Sequence, residues 1–365
     1  MRVERFVHGG NVYEPCGEGR SWLDFSANIN PLGLAEHVRT AILSQVRAVV
    51  HYPDPQARKL RAALSAHYEV SQDALVLGNG AAELFYLYFH ALQPRRVLLP
   101  VPSFSEYERA ALAAGSGIEY LPLPAGRGFS LSAAELFDGA QRTGADVLIL
   151  GNPNNPTGTK FLREDLVWLS EHLTSIGCGL VVDESFLDFR RDEERYTLRH
   201  EAARLPHLLL IRSLTKFFAL PGLRLGFAVA QPSLVRRLER HKDVWNVNVL
   251  AQAAGCAALC DTAYQEETRA LVEEESTFLT REIAALPDVH VYPSGVNFLL
   301  VSFADPEDAV ASVEGLRRRG ILVRDCSNYP GMGGGFLRVA VRKREENERL
   351  LAAWRAVLQE RTQIS

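Results

Sequence analysis

The chain has few cysteines, no long apolar run and no excess of charge of one sign. Its five cysteines among 365 residues are odd in number and scattered, which excludes a disulfide framework and is typical of a reducing compartment. No apolar run approaches the roughly 18 residues of a membrane-spanning helix. Residues 1–10 lack the apolar stretch of a signal peptide. We therefore expect a cytoplasmic protein with no membrane segment.

The charge balance and composition are those of an ordinary globular protein. The 40 Lys and Arg residues against 44 Asp and Glu residues give a formal net charge of -4, so no general attraction to nucleic acid is expected. Hydrophobic residues make up 47% and charged residues 23%, which excludes a disordered or fibrous chain. At roughly 150 residues per domain, the length predicts about two domains.

The sequence also lacks the short motifs of several enzyme classes. It contains no phosphate-binding GxxxxGK[ST] loop, no HExxH or CxxC metal motif and no GxSxG nucleophile turn. The ten histidines are dispersed, so no metal site is predicted. Cys256 and Cys260 could share a helix face, but no clustered His or Cys joins them, and we expect both in the core.

Short apolar runs alternate with amphipathic segments along most of the chain. The predicted strands cover residues 97–100, 147–150, 180–183, 208–211, 225–230, 298–303 and 336–341, and the clearest helices cover residues 56–68 and 345–359. Runs of this length suit strands that are covered on both faces. The alternation predicts an α/β fold with an open, mostly parallel sheet. We expect an N-terminal arm (residues 1–33), a large domain (34–260) and a smaller α+β domain (261–365).

Two turns follow predicted strands. Residues 78–83 (GNGAAE) lead from an apolar run into a helix, where free backbone amides favour a phosphate, although a plain strand–helix turn has the same pattern. Residues 151–158 (GNPNNPTG) follow a strand at the edge where open α/β sheets bind their ligands.

Three charged residues complete the pattern. Asp183 ends a buried strand, where it needs a cationic partner, a metal or a helix end; a surface carboxylate just past the strand is the alternative. Lys216 lies among apolar residues that lower the pKa of its ammonium and make it a nucleophile for a carbonyl. Arg224 offers a forked cation to a phosphate. Together, these residues call for a ligand with a phosphate, a carbonyl for Lys216 and a basic ring nitrogen for Asp183. Pyridoxal 5′-phosphate (PLP) has all three, and a carboxylate facing its ring nitrogen keeps that nitrogen protonated.

The order of these motifs resembles that of the fold-type I PLP-dependent enzymes, the aminotransferase class I/II superfamily. The resemblance implies a homodimer in which Tyr52 reaches the neighbouring active site. It makes Lys216 and Asp183 the catalytic residues, with Lys216 bonded to the cofactor aldehyde and Asp183 paired with its ring nitrogen. Phe104 would stack on the ring. The implied cofactor-binding residues are Gly80, Ala81, Ala82, Phe104, Asn155, Asp183, Ser213, Lys216, Arg224 and Tyr52.

The ends of the chain narrow the resemblance. Residues 8–11 (HGGN), 24–33 (DFSANINPLG), 324–331 (RDCSNYPG) and 338–342 (RVAVR) are similar to the threonine-phosphate decarboxylase family of cobalamin biosynthesis. That family converts L-threonine O-3-phosphate to (R)-1-amino-2-propanol O-2-phosphate and carbon dioxide. The resemblance implies four substrate-binding residues: His8, Asn28, Arg324 and Arg338. We expect the two arginines at strand ends of the small domain, facing the place where a substrate would enter; surface salt bridges are the alternative.

Several alternatives stay open. Histidinol-phosphate aminotransferases share the core motifs and usually both arginines, but not the HGGN start. The core motifs do not by themselves decide between decarboxylation and transamination. Serine phosphate differs from threonine phosphate by one methyl group, worth only about 1–3 kcal/mol in a pocket. A PLP-binding regulator without activity would usually carry a basic DNA-binding domain and would not need Lys216 and Asp183. Phe186 also departs from the many aminotransferases that have a tyrosine there, leaving the cofactor's phenolic oxygen to Asn155 alone.

Overall fold

A computed structural model of the chain describes residues 6–16 and 21–362. The strands of the described part are β1 Leu23–Asp24, β2 Leu75–Gly78, β3 Arg96–Val101, β4 Gly117–Pro122, β5 Val147–Gly151, β6 Gly179–Asp183, β7 Leu208–Ser213, β8 Gly226–Ala230, β9 Val289–Val291, β10 Phe298–Phe303, β11 Ile321–Leu322, β12 Arg324–Asp325 and β13 Phe336–Ala340. The α-helices are α1 Glu36–Gln45, α2 Arg58–Tyr68, α3 Ala81–Leu92, α4 Ser105–Ala113, α5 Ala133–Thr143, α6 Arg163–Ser175, α7 Arg199–Ala202, α8 Pro232–Glu239, α9 Val249–Cys260, α10 Thr262–Ala284, α11 Pro306–Arg318 and α12 Arg344–Thr362.

Seven strands form the main sheet, in the order β2-β8-β7-β6-β5-β3-β4. The pairs from β4 through β7 are parallel, and β8 runs antiparallel to both β7 and β2. This sheet confirms the predicted α/β fold with a mostly parallel sheet, and every predicted strand is present.

Both faces of this sheet are buried, each under its own group of helices. In β5, Leu148 and Leu150 belong to one core, whereas Val147 and Ile149 belong to the other. Successive side chains of a strand point to opposite faces of the sheet. When helices bury both faces, every position of the strand therefore needs an apolar residue. This is why the strands read as continuous apolar runs rather than as alternating patterns.

The register brings the ends of the central strands to one edge of the sheet. Gly78 of β2 and Ser213 of β7 both pair with Gly226 of β8. Two strands further along, Asp183 of β6 pairs with Gly151 of β5. The predicted Gly turn, Asn-Pro turn, aspartate and lysine segment therefore meet at this edge.

A second sheet lies in the C-terminal part of the chain, in the order β12-β13-β10-β9 with antiparallel pairs. One of its faces packs on α12, where Trp354 is fully buried. The short strand β1 of the predicted arm pairs with β11 in this region. Residues 1–5 and 17–20 of the arm and residues 363–365 of the predicted small domain lie outside the described residues, and the domain boundaries stay a prediction.

Two local expectations differ from the structure. Arg338, expected at a strand end, is the central residue of β13. Its neighbours Leu337 and Val339 pack in the core with α12, so the alternation of the strand puts Arg338 on the opposite face. Cys260, expected in the core with Cys256, is exposed at the end of α9. No helix within residues 6–16 and 21–362 has the length and apolar character needed to cross a membrane.

Candidate active site

A cavity of 370 Å³ opens at the edge of the main sheet where β2, β6 and β7 end. All the predicted site residues except Gly80 and Tyr52 line it: His8, Asn28, Ala81, Ala82, Phe104, Asn155, Asp183, Ser213, Lys216, Arg224, Arg324 and Arg338. Residues more than 300 positions apart in the sequence thus meet in one concave site.

The Gly turn, residues 78–82, is a tight, concave stretch of backbone at the start of α3, and we call it the cup. Gly80 has a φ of +83°, and a Cβ there would clash with the Arg224 guanidinium. A Cβ on Gly226 would come within 2.6 Å of the Ala81 nitrogen. Only glycine allows both approaches. The freed amides at the N-terminus of α3 and the Arg224 guanidinium suit a phosphate.

Hydroxyl groups extend this cup at the end of β7. The Ser213 Oγ lies 2.7 Å from the Thr215 Oγ1, and the Thr215 backbone N–H donates to the Ser213 Oγ. Both residues are buried and line the cavity. Thr215, which was not predicted, adds a second hydroxyl beside Ser213.

Asp183 is buried and held by three donors. One carboxylate oxygen accepts from the Ser185 backbone N–H at 2.9 Å and from the Ser185 hydroxyl, and the other accepts from the Tyr107 hydroxyl at 2.7 Å. Burial raises the pKa of Asp183, while the bonds from Ser185 and Tyr107 and the nearby Lys216 ammonium act in the opposite direction. The carboxylate is therefore fixed in direction and ready to accept from a cationic ring nitrogen.

Lys216 carries the amine of the site. Burial, with smaller contributions from the Arg338 and Arg224 guanidinium groups, lowers the pKa of Lys216 to about 8. A substantial fraction of the amine is then neutral near physiological pH, as a nucleophile requires.

The Asn-Pro turn divides its three asparagines between structure and site. Asn152 and Asn154 hold the turn through bonds to backbone carbonyls. Only Asn155 of the three lines the cavity, where its Oδ1 accepts from the Arg338 Nη1. Phe186 also lines the cavity and lies edge-on against Phe298, so it supplies no polar group.

Arg324 and Arg338 form a cross-strand pair with like charges. They face each other in the β12–β13 register, and both are buried. The Arg324 guanidinium donates to the carbonyls of Asp325 and Val7, and Arg338 donates to the carbonyl of Ser26 at 2.7 Å. Within residues 6–16 and 21–362 neither contacts a carboxylate. Opposed like charges are unfavourable in a sheet, and buried charges need partners, so the pair is suited to binding an anion.

The two predicted arm residues reach the cavity differently. Asn28 is buried, and its Oδ1 has no hydrogen-bond partner in the described part of the chain. His8 lies at the mouth, where its Nε2 is 2.8 Å from Glu106 and its ring is 5.6 Å from that of Phe104. Tyr52 does not line this cavity; it is exposed and stacks on Trp245 with 4.1 Å between the ring centroids.

Two lining residues that the sequence interpretation passed over are Glu106 and Tyr107. Both lie in α4, directly after Phe104. Positions i and i+3 share a helix face, so the placement of Phe104 in the site was a signal that Tyr107 would follow it there. No group of three or more potential metal ligands occurs in the described ranges.

The residues present fit PLP. The cup supplies amides and Arg224 for a phosphate, Asp183 a carboxylate for the ring nitrogen, Phe104 an aromatic face and Lys216 an amine for the aldehyde. In the part of the chain that the structure describes, Arg338 Nε and Asn28 Oδ1 are buried polar atoms without partners, which leaves polar groups for a substrate beside the cofactor.

These groups together are typical of the PLP-dependent transferases and lyases, a class of enzymes that binds its cofactor through a lysine. The family model of the aminotransferases of class I and II matches residues 20–353, and the chain belongs to this family. The family is PLP-dependent. A histidinol-phosphate aminotransferase from Sinorhizobium meliloti, solved in complex with pyridoxal-5′-phosphate, has the same fold, with a TM-score of 0.84 and 21% identity over 92% of this chain and 91% of that chain.

Two curated relatives bear on the particular reaction. The chain is 37% identical to the threonine-phosphate decarboxylase of Salmonella typhimurium LT2 over 98% of each chain. It is 35% identical to a histidinol-phosphate aminotransferase of Symbiobacterium thermophilum over 91% of this chain and 90% of the relative. The structure of an L-threonine-O-3-phosphate decarboxylase from Porphyromonas gingivalis matches with a TM-score of 0.81 and 25% identity, over 92% of this chain and 99% of that chain.

Proposed function

We propose that this protein binds PLP and decarboxylates L-threonine O-3-phosphate to (R)-1-amino-2-propanol O-2-phosphate and carbon dioxide, a step of cobalamin biosynthesis in the cytoplasm. The observation that carries the proposal is the buried Arg324–Arg338 pair, which has no carboxylate partner among residues 6–16 and 21–362 and lines the same cavity as Lys216 and Asp183. Near-full-length similarity to a threonine-phosphate decarboxylase supports it.

The chain's own residues would hold the cofactor. The amides of Gly80, Ala81 and Ala82, with Ser213 and Arg224, would bind its phosphate. PLP supplies an electron sink that stabilises negative charge at the substrate Cα. Asp183, which Tyr107 and Ser185 orient, would keep the ring nitrogen protonated and so maintain that sink.

The charge of the substrate matches the cavity. A phosphate carries about -1.5 to -2 at neutral pH, and the substrate carboxylate adds another negative charge. Arg324 and Arg338 offer forked donors for two anionic groups. The Oδ1 of Asn28, which has no partner among the residues that the structure describes, would accept from a donor on the substrate or its protonated phosphate.

Lys216 would handle the proton at Cα. Its pKa of about 8 allows the group to hold or release a proton near neutral pH. After loss of carbon dioxide, the Lys216 ammonium would deliver a proton to Cα. The orientation of the substrate by the two arginines would decide that the carboxylate, and not the Cα hydrogen, is lost.

We also propose a homodimer in which Tyr52 reaches the neighbouring site. Tyr52 is exposed, as are Val49, Val50 and Trp245. Exposed apolar clusters of this kind mark interaction surfaces. The exposure of Tyr52 away from its own cavity supports a role at the cavity of a second copy.

The test is single-substrate turnover of the PLP-loaded protein. With L-threonine O-3-phosphate alone and no keto acid, we expect carbon dioxide and the amino-alcohol phosphate in equal amounts. Lys216→Ala should abolish turnover and serves as the control. If turnover requires 2-oxoglutarate and releases no carbon dioxide, or if histidinol phosphate is the better substrate, the proposed reaction is wrong and transamination takes its place.

A further inference from the structure

Glu106 is a carboxylate at a site built for anions. Among the described residues that line the cavity, Glu106 and Asp183 are the two carboxylates, whereas Arg324 and Arg338 provide unpaired positive charge. The negative charge of Glu106 would repel an anionic substrate, so its place in this cavity calls for a different role. Glu106 is buried at the mouth, where a charge is costly unless it is paired with hydrogen-bond donors.

The contacts of Glu106 come from three directions. Its Oε1 lies 2.8 Å from the His8 Nε2 and 3.4 Å from the Arg109 Nη1, and its Oε2 accepts from the Tyr86 hydroxyl at 3.5 Å. The hydrogen bond from His8 is the largest influence on its pKa and lowers it, against the effect of burial. Glu106 is therefore ionised at neutral pH, and His8 is its nearest partner.

His8 belongs to residues 7–10, a segment at the mouth of the cavity that we call the strap. At one side, the Val7 carbonyl accepts from the Arg324 Nη2 at 2.7 Å. At the C-terminal end of the strap, the Gly10 backbone N–H donates to the Ser26 hydroxyl at 2.7 Å. At the other side, His8 meets Glu106 on α4. The strap thus bridges the β12–β13 region and the main-sheet side of the cavity, and Glu106 is its contact on the latter.

We propose that Glu106 is a positioning residue for substrate recognition, holding His8 and the strap over the cavity so that the His8 imidazole faces the substrate phosphate. This inference rests on the proposed function for the identity of the phosphate. Glu106 itself acts through His8 and does not touch the reacting atoms.

The sign of the change in KM for Glu106→Gln distinguishes between two roles of this carboxylate. If Glu106 were only a negative charge in an anion site, Glu106→Gln would lower the KM for L-threonine O-3-phosphate. If it positions His8, the same substitution raises that KM about tenfold, the factor that corresponds to ~1.4 kcal/mol, and kcat stays within about twofold.

The variants are chosen to separate positioning from general structure. Glu282→Gln is the matched control, because Glu282 contacts two basic side chains, Arg281 and Arg355, but does not line the cavity. It should leave KM unchanged. Glu106→Asp keeps the charge and should restore part of the affinity. His8→Ala combined with Glu106→Gln should weaken binding no more than the worse single substitution, as expected for coupled residues.

A binding measurement keeps the two proposals distinguishable. Calorimetry of inorganic phosphate with the PLP-saturated protein should show weaker binding for Glu106→Gln than for the wild type, with an unchanged cofactor absorbance spectrum. If the wild type releases no carbon dioxide, the proposed reaction is wrong, whereas the role of Glu106 in phosphate binding is still tested by the calorimetry. Equal or tighter phosphate binding by Glu106→Gln, or additive effects of the two substitutions, overturns the role of Glu106.

Discussion

Burial acts in opposite directions on the two ionisable groups at the centre of the cavity. It lowers the pKa of the Lys216 ammonium to about 8, and it raises the pKa of the Asp183 carboxyl. For Asp183 the donors Ser185 and Tyr107 and the positive charge of Lys216 counteract the effect of burial. The site therefore holds an amine whose pKa burial lowers beside a carboxyl group whose pKa burial raises, with Ser185, Tyr107 and Lys216 opposing part of that rise.

The depressed pKa of Lys216 predicts how the stability of the cofactor-free protein depends on pH. Below pH 8 the native state carries a desolvated ammonium. Between about pH 8 and the unfolded pKa near 10.4, the native state binds fewer protons than the unfolded chain, so stability rises with pH. We expect the free energy of unfolding of the wild type to increase relative to that of Lys216→Met from pH 7.5 to pH 9.5, measured by urea denaturation.

Lys216→Met is the internal control for this prediction, since every other titrating group is common to both proteins. Two stability curves that stay parallel across this pH range would contradict a depressed pKa at Lys216.

Asp183 ends β6 and Lys216 follows the end of β7, and a buried ion network joins the ends of these two strands. Glu184 follows Asp183, and Arg212 precedes Ser213. The Arg212 guanidinium is fully buried and lies 2.9 Å from carboxylate oxygens of Glu184, Asp188 and Glu193. The network thus fixes the two strand ends from behind the cavity without lining it.

Removal of Arg212 should leave three carboxylates without their shared cation. Breaking a buried ion pair from one side typically costs about 3–5 kcal/mol, and we expect Arg212→Leu to lower the free energy of unfolding by that amount. Arg127→Leu is the control, because Arg127 pairs with Glu135 on the surface, where an ion pair contributes only about 0–1 kcal/mol. Urea denaturation of both variants measures the difference, and similar losses would refute a special role for the network.

The surface formed by Val49, Val50, Tyr52 and Trp245 is exposed in the single chain. Val50 and Tyr52 are among its most exposed large apolar residues, and Trp245 stacks on Tyr52. A twofold dimer would bury the same surface on both copies. Each cavity would then draw Lys216 from its own chain and Tyr52 from the partner.

This arrangement predicts complementation between two defective variants. Lys216→Ala and Tyr52→Ala homodimers should each show reduced activity. A hybrid dimer has one cavity with both substitutions and one with neither, so mixing after reversible dissociation should restore activity toward a quarter or more of the wild type. Carbon dioxide release before and after mixing measures this. If Tyr52 serves its own cavity, or none, mixing restores nothing.

Much of the fold and most of the candidate site could be predicted from the sequence. Strands buried on both faces read as apolar runs, so all the predicted strands are present. Local motifs at strand ends identified Asp183, Lys216 and the Gly turn, because the edge of a parallel sheet gathers such ends. Glu106, Tyr107 and Thr215 were missed, since their role depends on which side of a helix or turn faces the cavity.

The sequence by itself determined which chemical groups are available: an amine, a carboxylate, a glycine turn and two arginines in a fixed order. The tertiary structure decided their relations. It opposed Arg324 to Arg338 across β12 and β13, placed Arg338 in mid-strand on the cavity face, and joined His8 to Glu106 across 98 residues. Such contacts depend on register and packing between distant segments, whose energies no local pattern of residues contains.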